Sequence, residues 1–202
     1  MNVNDANPVN HIIFDLECTC WAPDDAARGK HEIIEIGAVK LDDHFHIISE
    51  FQQFVQPTIN CYLTKFCTEL TTITQNDLSA APTLSIVIKQ FEAWIVDGSP
   101  KVNMVSWGQF DKTQIIEECT IKKIETSLES ILNQHVNLKS VFAKKRKMKQ
   151  CGMNTALKML DIPLDGCHHR GIDDARNIAK IFLAMEKNLL TGKFVSGTAL
   201  SG

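Results

Sequence analysis

Two acidic residues sit inside an apolar, β-prone run, HIIFDLECT at positions 11–19, and this feature most narrows what the chain can fold into. In a strand, successive side chains point to opposite faces. His11, Ile13, Asp15 and Glu17 therefore share one face, while Ile12, Phe14, Leu16 and Cys18 share the other. The run reads as a central strand with one wholly apolar face and a second that ends in paired carboxylates. Side by side in an apolar strand, such acids repel each other and resist desolvation, and a divalent cation is their natural partner. Alternatively the strand end is exposed and both acids are solvated. These residues alone leave both readings open.

The first third reads as a three-stranded meander. HEIIEIGAVKL (31–41) and HIISEFQQFVQP (46–57) form two further strands around a polar turn at Asp42–Asp43, and Pro57 ends the third because it cannot donate to a ladder. Thr74–Asp77 opens a short helix that Pro82 stops. Thr83 is a candidate N-cap for a longer helix to about Val96, with Leu84, Val87, Ile88, Phe91 and Ile95 on one face. VNMVSW (102–107) reads as a strand, followed by a helix from about Asp111 to Lys122. VNLKSVF (136–142) reads as another strand, Gly152–Met153–Asn154 as the start of a short helix, and Asp173 to Leu190 as a long one. Strands interleaved with helices after a meander predict an α/β mixed sheet with helices packed on its faces.

Helical phasing separates the adjacent acids of the last helix. Steps from Asp174 reach Ile178, Ile181, Met185 and Leu189, an apolar stripe, whereas steps from Asp173 reach Arg176, Asn177, Lys180 and Lys187. Asp174 is therefore expected to face the sheet, and Asp173 to sit at the helix start, where negative charge complements the dipole. Asp111 follows a Gly-containing turn at a helix start. By itself it is an ordinary N-terminal helix acid, and it becomes a candidate ligand only beside the other three.

The composition permits such a domain without specifying its work. The 202 residues suit one domain, and 44% hydrophobic with 22% charged residues is ordinary for a globular core. A net charge of −3 argues against a large basic footprint, but not against a local patch or phosphate contact through bound cations. The seven cysteines form no recognisable disulfide framework, and Cys18 and Cys20 are one residue apart, unlike the usual zinc pairs. Met1 to Asn10 is polar, and no apolar stretch approaches the roughly 18 residues of a membrane span. The expectation is a cytoplasmic protein with free thiols, no membrane association, and three segments: a short N-terminal segment at 1–10, one domain at 11–190, and a loosely ordered tail at 191–202.

Taken together, DLECTC, SWGQFDKTQI and HRGIDDA resemble the motifs of DEDDh exonucleases of the DnaQ-like, ribonuclease-H-like superfamily. The likeness runs from about residue 11 to 186, with the motifs in the family's order. The His-x4-Asp spacing of that family selects His169 over His168. The alternative DEDDy pattern would place Tyr at 170, where Arg170 stands, and the single tyrosine is Tyr62. HEIIEIGAV, FCTELTTITQNDLSAAPTL and SWGQFDK look most like the branch of histone-mRNA and small-RNA 3′-end exonucleases and KapD-like proteins.

The resemblance implies a ribonuclease-H-like mixed β-sheet (antiparallel meander plus parallel strands) flanked by helices. It further implies a metal-dependent 3′→5′ exonuclease releasing nucleoside 5′-monophosphates from single-stranded nucleic acid, RNA favoured. Two Mg2+ or Mn2+ ions would be held by Asp15, Glu17, Asp111 and Asp174, with His169 as general base. By the same analogy the Glu17–Cys18–Thr19 backbone and Trp21 are candidate substrate contacts, Trp21 by stacking or else as simple loop packing, and Met153, on the short helix, faces either the core or the substrate. KSVFAKKRKMKQ (139–150) holds six basic residues and no acid, and reads either as a solvated face or as a track for a phosphate backbone. The alternatives are a DNA-directed exonuclease of the same class, a nuclease cutting inside strands, or a non-catalytic nucleic-acid- or protein-binding module on this fold.

Overall fold

A computed structural model describes residues 9–26, 28–98 and 101–191, without the side chains of 187–191. The expected tail at 192–202 and residues 1–8 lie outside the described residues. The element order is β1 (Val9–Cys18), β2 (Ile33–Leu41), β3 (Ile47–Phe54), α1 (Lys65–Thr71), α2 (Gln75–Ser79), α3 (Leu84–Val96), β4 (Lys101–Ser106), α4 (Phe110–Ile121), α5 (Leu128–Leu132), β5 (Val136–Asn137), α6 (Leu138–Lys145), α7 (Met153–Met159) and α8 (Gly171–Thr191).

The sheet order is β3-β2-β1-β4-β5. The first three strands form the antiparallel meander, and β4 pairs parallel to β1, with β5 parallel to β4. This is the mixed sheet flanked by helices that the sequence predicts. β1 lies at its centre because its side chains serve two cores. Ile12, Phe14, Leu16 and Cys18 enter one core with α3, α4 and α5. Ile13 enters the other with α6, α7 and α8. The two faces match the alternation read from the sequence.

The α3 face is as expected: Leu84, Val87, Ile88, Phe91 and Ile95 are all buried, and Thr83 holds the N-cap position, although without a side-chain cap hydrogen bond. The α8 stripe is likewise buried at Ile178, Ile181 and Met185. Among the described residues no helix is long and apolar enough to cross a membrane. Each of the seven cysteines is free.

Several expectations are corrected. Residues 136–142 are not a strand: only Val136–Asn137 pair with β4, and the chain then turns into α6. The cause is Asn137, whose side chain accepts from the Ser140 N–H at 3.0 Å and caps the helix. The second strand starts at Ile33, because the Glu32 side chain instead accepts N–H bonds from Thr58, Ile59 and Asn60. The third ends at Phe54, three residues before Pro57. β1 begins at Val9, inside the segment expected to precede the domain, and α1 and α5 are additional helices.

Close backbone approach seats α8 on the sheet. A Cβ on Gly37 of β2 would lie 2.1 Å from the Gly171 carbonyl carbon and the Ile172 nitrogen. Only glycine fits there. Asp15 lies opposite Gly37 in the β1–β2 register, so this contact places the first turn of α8 beside Asp15.

Candidate active site

Four acids converge from three elements. Asp15 and Glu17 come from β1, Asp174 from the first turn of α8, and Asp111 from the first turn of α4. Carboxylate oxygens of Asp15, Glu17 and Asp174 all lie within 4.8 Å of one another. Asp111 is anchored beside them, its Oδ1 accepting the Leu16 N–H at 3.3 Å. All four acids line one cleft of about 290 Å³, together with His168, His169, Trp107, Phe110 and Met153.

The electrostatics of this cluster are unfavourable without a cation. Burial, then repulsion from Asp111, Glu17, Asp174 and Glu35, holds the Asp15 carboxyl well above its usual range. Glu17 is pushed up to about 9 by burial and by the charges of Asp174, Glu35, Asp111 and Cys67. Burial also raises Asp111, against hydrogen bonds from Ser106 and backbone N–H groups, and raises Asp174, against His168 and His169. Buried carboxylates without matching donors want positive charge. The donors are hard oxygens, which suit Mg2+ or Mn2+, and their spacing fits a shared divalent ion.

The two histidines divide their contacts with Asp174. His168 Nδ1 lies 3.0 and 2.9 Å from its two oxygens. His169 gives only its backbone N–H, at 3.0 Å to Oδ2. The two rings stack at 3.9 Å, and His169 adopts φ 66°, a left-handed conformation that turns the chain into α8. Burial, then the neighbouring His168, lowers the His169 pKa, with Asp174 opposing. The sequence motif alone passed over His168, although it is adjacent to His169 and holds the carboxylate directly.

The segment before α8 is pinned from beneath by Glu35. This fully buried carboxylate accepts from Arg170 Nε at 3.1 Å, the Gly171 N–H at 3.0 Å and Gln52 Nε2 at 2.7 Å. Sequence reasoning did not single out Glu35; its signal was a single acid inside the apolar run IIEIGAV (33–39).

Of the candidate substrate contacts, Met153 lines the cleft, whereas Cys18, Thr19 and Trp21 do not. Cys18 packs in the core and pairs with Ile33. The Thr19 N–H donates to Glu32 O at 2.8 Å, its hydroxyl accepts from the Glu32 N–H, and its carbonyl lies 2.6 Å from His31 Nδ1. Those Thr19 groups tie the end of β1 to the start of β2, and a nucleotide contact through Cys18, Thr19 or Trp21 stays a proposal. Trp21 packs on His31, with ring centroids 5.8 Å apart. The exposed aromatic on the cleft rim is instead Phe110, half exposed and immediately before Asp111. An apolar ring opening a helix beside an acid was the available signal.

Comparison with known proteins agrees with this geometry. The exonuclease (RNase_T) family matches residues 12–182. ERI1 exoribonuclease 2 of Xenopus laevis is 34% identical over 191 residues, covering 84% of this chain and 27% of the relative. The 3′-5′ exoribonuclease 1 of Homo sapiens is 30% identical over 181 residues, covering 86% of this chain and 51% of the relative. The chain thus spans about a quarter to a half of the length of these relatives. Among solved structures, the nuclease domain of 3′hExo, a DEDDh family member bound to rAMP, superposes with a TM-score of 0.80 at 27% identity, covering 92% of this chain and 95% of that one. With a family match over most of its length and a cleft built from those same segments, the chain belongs to the exonuclease family of DEDDh type.

Proposed function

We propose that the chain is a metal-dependent 3′→5′ exonuclease that removes nucleoside 5′-monophosphates from single-stranded nucleic acid, with RNA favoured. The observation that carries this reading is the convergence of Asp15, Glu17 and Asp174 within 4.8 Å, with Asp111 in the same cleft. A binding module would have no use for four mutually repelling acids gathered in one cleft.

Two divalent ions, Mg2+ or Mn2+, would supply charge neutralisation at the phosphate and an acidified water when bound. Asp15, Glu17 and Asp174 would hold them, with Asp111 supporting from the α4 side. His169 serves as general base: it accepts the proton of the attacking water, and its lowered pKa keeps the imidazole neutral and ready for that role. Asp174 fixes the approach of His169 through the backbone N–H bond, and Glu35 holds the following residues in place. Phe110 and Met153 give the cleft apolar walls against which a terminal base can stack. RNA is favoured because the relatives are named exoribonucleases.

The test is digestion of 5′-labelled single-stranded RNA and DNA of one sequence, with Mg2+ or with EDTA. A ladder shortening from the 3′ end, dependent on Mg2+ and stronger on RNA, is expected. Stronger digestion of DNA would favour the DNA-directed reading. No metal-dependent loss from pure protein would leave only a binding module.

A further inference from the structure

The basic run 139–150 leads along the chain into Gly152 and Met153, which line the catalytic cleft, although none of its six basic residues lines the cleft itself. Trp107, which lines the cleft, donates Nε1–H to the Cys151 carbonyl at 3.2 Å, and Gly152 and Met153 are themselves cleft residues. Lys149 is thus three residues from the cleft, a reach of at most about 11 Å. Farther back, Arg146 lies 5.1 Å over the Phe142 ring, and Phe142 packs on Trp107 at 5.8 Å.

Local contacts set the path of the segment. Lys147 adopts φ 53°, and the Met148 N–H returns to the Ala143 carbonyl at 3.0 Å, closing α6, while Met148 packs against the α8-side core. Lys144, Lys147 and Lys149 are exposed, and among the described residues none has an ion-pair partner. Helix-dipole compensation favours Lys144 and Lys145 in the last turn of α6, and Lys145 also pairs with Glu186, but it leaves the exposed Lys144 ammonium open to a further anion. It does not account for Lys147 and Lys149, which lie beyond the helix end. Exposed cations joined by a three-residue link to an acidic cleft, on a chain of net charge −3, suit a polyanion whose end enters that cleft.

Resting on the exonuclease reading, we propose that Lys144, Lys147 and Lys149 bind the sugar-phosphate backbone upstream of the 3′ terminus, blind to base and sugar. Affinity for longer strands then comes from this strip, and position of the scissile phosphate from the acids.

The test is fluorescence anisotropy of a labelled 20-nucleotide single strand, as RNA and as DNA, in EDTA so that no cutting intervenes. Replacing the three lysines by glutamine should raise Kd at least about 10-fold and flatten the dependence of log K on log salt by about 2, equally for both strands. Lys→Arg at the same positions should restore both, which separates lost charge from lost folding. An unchanged Kd and salt slope in the glutamine variant would overturn the proposal. So would a loss that arginine fails to restore. Because binding is read without metal, either result stands apart from the Mg2+ digestion that tests the exonuclease reading.

Discussion

Neighbouring strands of the sheet bury acids in opposite ways. Immediately before β2, Glu32 accepts N–H bonds from Thr58, Ile59 and Asn60 and pairs with Lys122 at 2.7 Å. Burial alone would raise its pKa, but the hydrogen bonds from Asn60, Lys122, Thr58 and Ile59 win and hold it low. Glu35 is met by Arg170, Gly171 and Gln52. On β1, Asp15 and Glu17 meet mainly other carboxylates, and their pKa values rise. Saturated acids brace a fold. Crowded acids await a cation. The acids on the β2 side therefore contribute to stability, the proposed function gives the β1 acids the chemistry, and the contrast can be broken from either side.

The largest effect should come from Asp15→Asn. Removing one member of the charge-organising cluster should lower kcat by about 10³-fold or more. Because the substitution also relieves repulsion, melting in EDTA should show no loss of stability. A variant that loses both activity and stability would erase the contrast.

Glu32→Ala should behave in the opposite sense. Removing one partner of a buried, hydrogen-bonded pair costs about 3–5 kcal/mol, read by urea unfolding. Activity per folded molecule should stay within a few-fold of wild type.

The seat of α8 on β2 offers a third test. Gly37→Ala drives a Cβ into the Gly171–Ile172 backbone, and overpacking of this kind costs about 1–3 kcal/mol. Since α8 must lift to accommodate it, Asp174 shifts from Asp15, and kcat should fall as well. A variant with lowered stability and wild-type kcat would show that the seat of α8 does not set the site.

The smallest effect is a pH dependence. The folded pKa of Glu32 is depressed, so its stabilisation is present above the unfolded value of about 4.3 and is lost as pH falls through the folded value. The Tm gap between wild type and Glu32→Gln should be steady near pH 7 and close below about pH 4. A gap that widens on acidification would contradict the assignment.

Much of this was legible in the sequence where one periodicity governed. The two faces of β1 followed from alternation, and the inward turn of Asp174 from the apolar stripe through Ile178, Ile181 and Met185. Local polar bonds defeated the same reasoning elsewhere. Asn137 capped α6 inside a run of β-prone residues, and Glu32 left the strand pattern to bind the 58–60 loop. The His168–Asp174 contact spans only 6 residues but was masked by the five-residue spacing that selected His169, while the role of Glu35 depends on contacts across 135 residues, which no local pattern encodes. Phe110 was hidden for another reason: exposure on a cleft rim is a property of the assembled fold.

Calorimetric titration with Mn2+ tests the central contrast most directly. Wild type and Glu32→Gln, each kept folded at 15 °C, should bind at least one ion per chain, and Asp15→Asn should lose that binding. Equal Mn2+ binding by Asp15→Asn, or none by wild type, would contradict the assignment of the β1 acids as the metal centre.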